Sequence, residues 1–214
     1  MQRCACLAPK AIKSFYSEIK FELLRRLFDA LFAFLYRSNL NQKRIAVKLA
    51  VDAYYTGNKA KVVGVLFENF SDEKPLKIIS KVVDGVAPYE SGSFYKRELP
   101  CIVSLLQDLD VLDISLIVID GFVYLDDEGR YGLGGHLYER LERRVQIVGV
   151  AKSPFKGSCK LVREICRGCS KRPLFVSAIG MDVDEAARLV KRMSGEFRMP
   201  SLLKILDDET KTDF

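Results

Sequence analysis

Ile45-Ala-Val-Lys-Leu-Ala-Val-Asp-Ala-Tyr-Tyr55, followed by Thr56-Gly-Asn-Lys59, reads as a β-strand running into a tight turn. Residues 61 to 68 resume the same Val-, Leu- and aromatic-rich composition, which predicts a β-hairpin. Ser71-Asp-Glu-Lys-Pro75 marks another turn, and Leu76 to Val83 predicts a third antiparallel strand. The period then changes. From Ser93 onward, Phe94, Leu99, Ile102, Val103, Leu105 and Leu106 recur at helical spacing, with Pro100 expected to kink or delimit the first turns. Strands are predicted at Leu116 to Asp120, Val145 to Ala151 and Leu174 to Ser177, and helices at Leu133 to Arg143 and Asp182 to Met193. Asp182 with Glu185 three residues on makes a capping box for the last of these.

Three antiparallel strands followed by alternating helix and strand predict an α/β fold, a mixed sheet flanked by helices in ribonuclease H-like order. In that order the first strand lies centrally with the fourth beside it, so Asp52 and Asp120 become neighbours. Asp52 breaks the apolar run Ile45 to Val51, and Asp120 caps Leu116-Ile-Val-Ile119. A carboxylate at the edge of a buried strand is costly unless it is paired, protonated or bound to a cation. Glu98, on the helix between them, supplies a third acid. One such acid is ordinarily a turn or helix cap, but two or three on neighbouring elements suit a hard divalent cation and phosphoryl transfer.

A chain of 214 residues is long enough for one sizeable core, and 49% hydrophobic with 29% charged residues argues for a folded, soluble protein. The expected organisation is a helix at about residues 12 to 37 with its connection, together residues 1 to 44, packed on a single domain of residues 45 to 214. A net charge of +6 leans toward a polyanionic partner such as nucleic acid, although simple solubility explains it equally well. Leu27 to Tyr36 is apolar but about ten residues long and contains Asp29. A bilayer span needs about 20 residues, so no membrane segment is expected. The six cysteines are irregularly spaced, and only Cys166-Arg-Gly-Cys169 has the look of a zinc knuckle. Reduced cysteines in a cytoplasmic protein, the Cys4-Ala-Cys6 pair included, are the simpler account.

Four windows, in order, resemble the endonuclease V family of inosine-directed nucleases. Ala50-Val-Asp52-Ala-Tyr-Tyr55 is similar to the family's first metal-binding strand. Pro88-Tyr-Glu-Ser-Gly92, then Phe94 and Arg97-Glu98, resembles its Pro-Tyr-Ile-Pro-Gly segment and Arg-Glu pair. Leu116 to Gly121, Gly132-Leu-Gly-Gly-His136 and Ile147-Val-Gly-Val-Ala-Lys152 follow its Asp-Gly, Gly-x-x-x-His and Gly-Val-Ala-Lys series. Arg172 to Ser177, the Glu185-Ala-Ala helix, Phe197-Arg-Met-Pro200 and Asp207 resemble its C-terminal block. Together they span residues 45 to 208.

The resemblance implies a Mg²⁺-dependent endonuclease, with Mn²⁺ as a second usable ion, that hydrolyses a phosphodiester near inosine in DNA or RNA. It implies Asp52, Glu98 and Asp120 as metal ligands, and Lys152 as an electrostatic stabiliser at the scissile phosphate. Tyr89, in a loop with Gly92, would be the wedge between bases, while Arg97 and Lys152 contact the nucleic acid. Asp126, His136 and Asp207 are further candidates; a histidine at a helix start has an ordinary packing role as well. Lys96, Lys156, Lys160 and Arg163 would track the backbone.

This chain also departs from the family. Where the family reads Asp-Gly-His-Gly with a second histidine six residues after the aspartate, here stands Asp120-Gly-Phe-Val-Tyr-Leu-Asp126. Phe122 cannot replace the first histidine's hydrogen bonds, and Asp126 would have to serve as an oxygen group near the metal. Ser177-Ala-Ile-Gly180 also lacks the family's histidine. In the wedge segment, Ser91 replaces a proline and Glu90 introduces an acid that repels phosphate. The alternative reading is a weakly active or non-catalytic nucleic-acid-binding protein of the same fold, with a monomer expected in either case.

Overall fold

A computed structural model describes residues 47–88, 94–109, 114–155 and 160–212 of the chain. The expected N-terminal helix, the wedge residues Tyr89 and Gly92, Lys156 and the cysteines Cys4, Cys6 and Cys159 lie outside the described residues. Within them the strands are β1 (Val47–Thr56), β2 (Lys59–Phe67), β3 (Lys77–Asp84), β4 (Ile114–Asp120), β5 (Gln146–Ala151), β6 (Val162–Ile165) and β7 (Leu174–Ile179). The helices are α1 (Tyr95–Leu106), α2 (Leu133–Arg140), α3 (Val183–Lys191) and α4 (Ser201–Thr210).

The strands form one sheet in the order β3-β2-β1-β4-β5-β7-β6. The β1–β2 and β2–β3 pairs are antiparallel, while β4 runs parallel to both β1 and β5. The fourth strand therefore lies beside the first, as its position in a ribonuclease H-like order requires. β7 pairs antiparallel with both β5 and β6.

Alternation along the strands divides the core into two layers. Ala50, Val63, Val65, Val118, Val148 and Val150 pack toward Ala186, Val190, Leu202 and Leu206 of α3 and α4. Leu49, Val51, Val62, Ile117, Ile119 and Ile147 pack toward Ile102, Leu105 and Leu137 of α1 and α2. A sheet covered on both faces needs continuous apolar strands, which explains runs such as Leu116 to Ile119. Each fully buried Val, Leu or Ile contributes roughly 1.5–3 kcal/mol.

The helix boundaries refine the expectations. α1 runs across Pro100, which has no N–H to donate within the helix. α2 stops at Arg140 rather than Arg143, because Glu142 and Arg143 take φ values of 54° and 60°, outside the helical region. Asp182 accepts a hydrogen bond from the Glu185 amide, so the predicted cap of α3 forms. β6 and α4 are elements beyond those predicted. Val-Arg-Glu-Ile is too short and charged to announce a strand, whereas α4 buries Leu202, Leu203, Leu206 and Thr210 at helical spacing. Among the described residues no helix is long and apolar enough to cross a membrane.

One glycine fixes the geometry at the end of β4. A Cβ on Gly149 of β5 would lie 2.6 Å from the Gly121 carbonyl oxygen and 2.8 Å from Ser177 Oγ. Its absence lets the chain after Asp120 cross β5 closely, where the buried Ser177 hydroxyl accepts from the Val123 amide at 3.0 Å.

Candidate active site

β1 and β4 run side by side, with Val51 opposite Ile119, and each carries an acid one residue later: Asp52 within β1, where its pairing with β4 stops, and Asp120 at the end of β4. Asp52 lies opposite Val63 and Asp120 opposite Val150, both of which belong to the layer under α3 and α4. Both carboxylates therefore emerge on the α4 side of the sheet. Lys152, just past β5, and Asp207, on α4, complete the wall of a concavity also lined by Val118, Val150, Met199, Leu203 and Leu206.

The Lys152 ammonium stands 3.4 Å from Asp120 Oδ2 and 3.1 Å from Asp207 Oδ1. Burial pulls its pKa down, but Asp120 and Asp207 outweigh that, and the pKa ends above the ordinary lysine value. Burial alone would raise the Asp207 carboxyl; hydrogen bonds from Lys211, at 2.5 Å, and from Lys152 hold it below the usual range instead. Among the described residues Asp52 has no such cation in contact. Its Oδ1 accepts from the Ala53 amide at 2.7 Å, yet burial, followed by the charge of Asp120, pushes its pKa to about 6.

Glu98 approaches from α1, which covers the opposite face. It is 2% exposed, and among the described residues its Oε2 has no hydrogen-bond partner. Burial, and then the charges of Asp52 and Asp120, raise its pKa well above the carboxylate range. An orphaned buried oxygen beside two acids that repel it is a donor set suited to a hard cation, which would relieve both penalties at once. The donors do not stand as a closed cage: among the described residues no three Asp, Glu, His or Cys side chains are gathered in metal-holding geometry.

The remaining candidates occupy other surroundings. Arg97 lays its guanidinium 4.1 Å from the Tyr55 ring centroid and donates to the Gly57 carbonyl at 3.4 Å, tying α1 to the β1–β2 turn. His136 stacks on Tyr95 with ring centroids 3.7 Å apart, and burial lowers its pKa, which favours the neutral imidazole. Asp126 accepts from the Arg130 amide at 2.8 Å and pairs with its guanidinium at 2.9 Å, which closes the loop between Tyr124 and Tyr131. Phe122 packs beside Ala151, Val162 and Phe175. Of the expected backbone-tracking cations, Arg163 is paired with Asp184 at 2.6 Å.

The Cys166-Arg-Gly-Cys169 stretch sets a buried arginine beside two exposed thiols. Both cysteines are exposed and free, while Arg167 is 5% exposed and directs its guanidinium into the backbone between α3 and α4. Arg198 is a second residue that sequence reasoning did not single out; it donates to the carbonyls of Lys152 and Pro173.

No family model matches the sequence. A curated endonuclease V from Methanothrix thermoacetophila is 26% identical over 183 residues, covering 76% of this chain and 78% of that protein. The human ENDOV crystal structure superposes with a TM-score of 0.63 at 23% identity, covering 79% of this chain and 84% of that one. Endonuclease V from Ciona intestinalis, solved with inosine-containing DNA, gives 0.65 at 19% identity over 79% and 86% of the two chains. Streptomyces avermitilis endonuclease V gives 0.58 at 22% identity over 77% and 79%. With its seven-stranded mixed sheet, and with this similarity spanning most of both chains, the protein has the ribonuclease H-like fold of these endonuclease V structures and is similar in sequence to a curated endonuclease V.

Proposed function

We propose that this chain is a divalent-metal-dependent endonuclease that hydrolyses a phosphodiester near inosine in DNA or RNA. The observation that carries this reading is the convergence of Asp52, Asp120, Lys152 and Asp207 in one concavity over the central strands, with the buried Glu98 carboxyl close enough to feel the charges of both Asp52 and Asp120. The relatives bring the substrate class: the Ciona protein was solved on DNA containing an inosine followed by a ribo-adenosine.

Asp52, Glu98 and Asp120 would hold Mg²⁺ or Mn²⁺, with Asp207 close by. When bound, such an ion supplies Lewis acidity, a water of lowered pKa and charge compensation for the leaving oxygen. The protein's own groups supply the rest. Asp52, with a pKa of about 6, is mostly ionised at neutral pH, and beside the Ala53 amide bond at its Oδ1 it keeps acceptor capacity for a cation. Lys152 fixes Asp120 and Asp207 and sets a positive charge where a non-bridging phosphate oxygen would lie. The apolar wall of Val118, Val150, Leu203 and Leu206 lowers the local dielectric and strengthens each of these interactions.

The test is incubation of an inosine-containing oligonucleotide with the protein and Mg²⁺ or Mn²⁺, beside an Asp120→Ala control. Cleavage by the native chain alone, with unmodified adenine strands spared, is the expected result. Equal cleavage by both proteins would refute the site. The second reading, a binding protein without efficient chemistry, is favoured by one observation: Phe122 packs in an apolar cluster where the family has a histidine. Intact binding with no cleavage would select it.

A further inference from the structure

Phe197 is 79% exposed, the most exposed of the large apolar side chains among the described residues. It sits on the loop between α3 and α4, and that loop is tied down on every side. The Arg167 guanidinium donates to the carbonyl of Phe197 at 3.1 Å and to those of Arg198 at 3.4 Å, Gly195 at 3.2 Å and Lys191 at 3.3 Å. Gly168 lies so close beneath that a Cβ there would stand 1.9 Å from the Glu196 carbonyl oxygen. Across the loop, the Ser201 amide donates to the Ser194 carbonyl at 2.8 Å.

A mobile loop could fold an exposed phenyl ring back onto the surface. Here the backbone on both sides of Phe197 is pinned to the buried Arg167, so the point from which the ring projects is fixed. The ring's place is also defined relative to the site: Arg198, the next residue, donates to the Lys152 carbonyl, and Lys152 contacts Asp120. Arg198 also binds the Pro173 carbonyl at 2.6 Å, and Pro173 follows the exposed Lys171 and Arg172.

We infer that Phe197 is a stacking platform for an unpaired nucleobase of the bound strand, next to the scissile phosphate on the α4 side of the site. The inference rests on the nuclease function proposed for this chain. A planar apolar face projecting from an anchored backbone, with the cationic Arg198 next in the chain, is the kind of surface on which unpaired bases stack without regard to sequence. The platform is distinct from the Pro88-to-Gly92 loop, which comes from the connection between β3 and α1.

The test is binding of an inosine-containing oligonucleotide carrying 2-aminopurine singly at successive positions around the inosine, with Ca²⁺ in place of Mg²⁺. The native chain is expected to quench the fluorophore at one position, and Phe197→Ala is expected to abolish that quenching and weaken binding roughly tenfold. Phe197→Tyr restores both, while Phe197→Leu, apolar but without a π face, behaves as Phe197→Ala. Because the ring is exposed, all three variants should melt with the native chain. Native-like binding by Phe197→Ala or Phe197→Leu would overturn the platform while leaving the nuclease reading intact. Failure of the native chain to bind would overturn both. A loss of self-association in Phe197→Ala with unchanged oligonucleotide binding would make the ring a protein contact instead.

Discussion

Lys152 Nζ lies 3.4 Å from Asp120 Oδ2 and 3.1 Å from Asp207 Oδ1, so a residue just past β5 joins the end of β4 to a helix that follows much later in the chain. The pairs are partly exposed, with Lys152 41% and Asp120 39% accessible. Such pairs contribute only about 0–1 kcal/mol to stability. The expected value of Lys152 is therefore electrostatic.

Lys152→Met should leave the melting temperature within a few degrees of the native value while cleavage falls by about 10²–10³-fold, the usual cost of removing a preorganised charge. Lys152 also lowers the Asp52 pKa, so its loss should move the acid limb of the pH–rate profile to higher pH. Single-turnover cleavage across pH 5 to 8 reads both effects. A large drop in melting temperature with little kinetic change would place Lys152 among the structural residues.

The acids make the metal-free protein sensitive to pH in a defined direction. Asp52 is raised from 3.8 to about 6 on folding, and Glu98 is raised as well. A raised carboxyl binds its proton more tightly in the folded state. Its contribution is thus fully present below about pH 4 and is lost as pH rises through about 6. His136, lowered on folding, acts oppositely and gains stability as pH rises toward neutrality. The difference between the native chain and Asp52→Asn isolates the carboxylate: Asp52→Asn should gain relative stability from pH 5 to 7, and Mg²⁺ should remove that gain. Parallel melting curves for the two proteins over that range would contradict the assignment.

The parts of the site that depend on local pattern were legible in the sequence. Strand alternation and the parallel neighbours β1 and β4 suffice to bring Asp52 and Asp120 together. Glu98 follows from helical spacing in α1, although its opposite approach is a matter of helix packing. Asp207 was named only through the resemblance, since its meeting with Lys152 depends on how α4 docks over the sheet. The periodic Leu202, Leu203 and Leu206 were there to be read as that helix. Arg167 carried no local signal: an arginine between cysteines reads as surface, and only the folded chain shows the carbonyls it satisfies. Asp126 illustrates the reverse, because its Arg130 partner four residues on was visible all along.

Arg167→Met should destabilise the protein by roughly 2–3 kcal/mol in urea unfolding, because the buried Met193 carbonyl and several part-buried carbonyls lose a charged donor together. Cys166→Ser and Cys169→Ser, at exposed free thiols, should stay within about 0.5 kcal/mol of the native chain. The opposite ranking, or zinc retained by the native chain and lost in the serine variants, would restore the knuckle reading.

Gly149→Ala tests whether the turn after Asp120 controls activity from beneath. The added methyl would meet the Gly121 carbonyl oxygen at 2.6 Å and Ser177 Oγ at 2.8 Å, so the turn must rise or the Ser177 bond to Val123 must break. Overpacking of this kind costs about 1–3 kcal/mol, and Ser177→Ala, which only orphans the Val123 amide, costs a similar 1–3 kcal/mol. Stability alone therefore does not separate the two variants. Activity does: Gly149→Ala pushes on the residue directly after Asp120, whereas Ser177→Ala adds no bulk there. Cleavage at saturating Mg²⁺ and 15 °C, where both remain folded, should fall at least tenfold more in Gly149→Ala. Equal losses would show that the turn is held by the serine and that the missing Cβ at Gly149 serves packing alone.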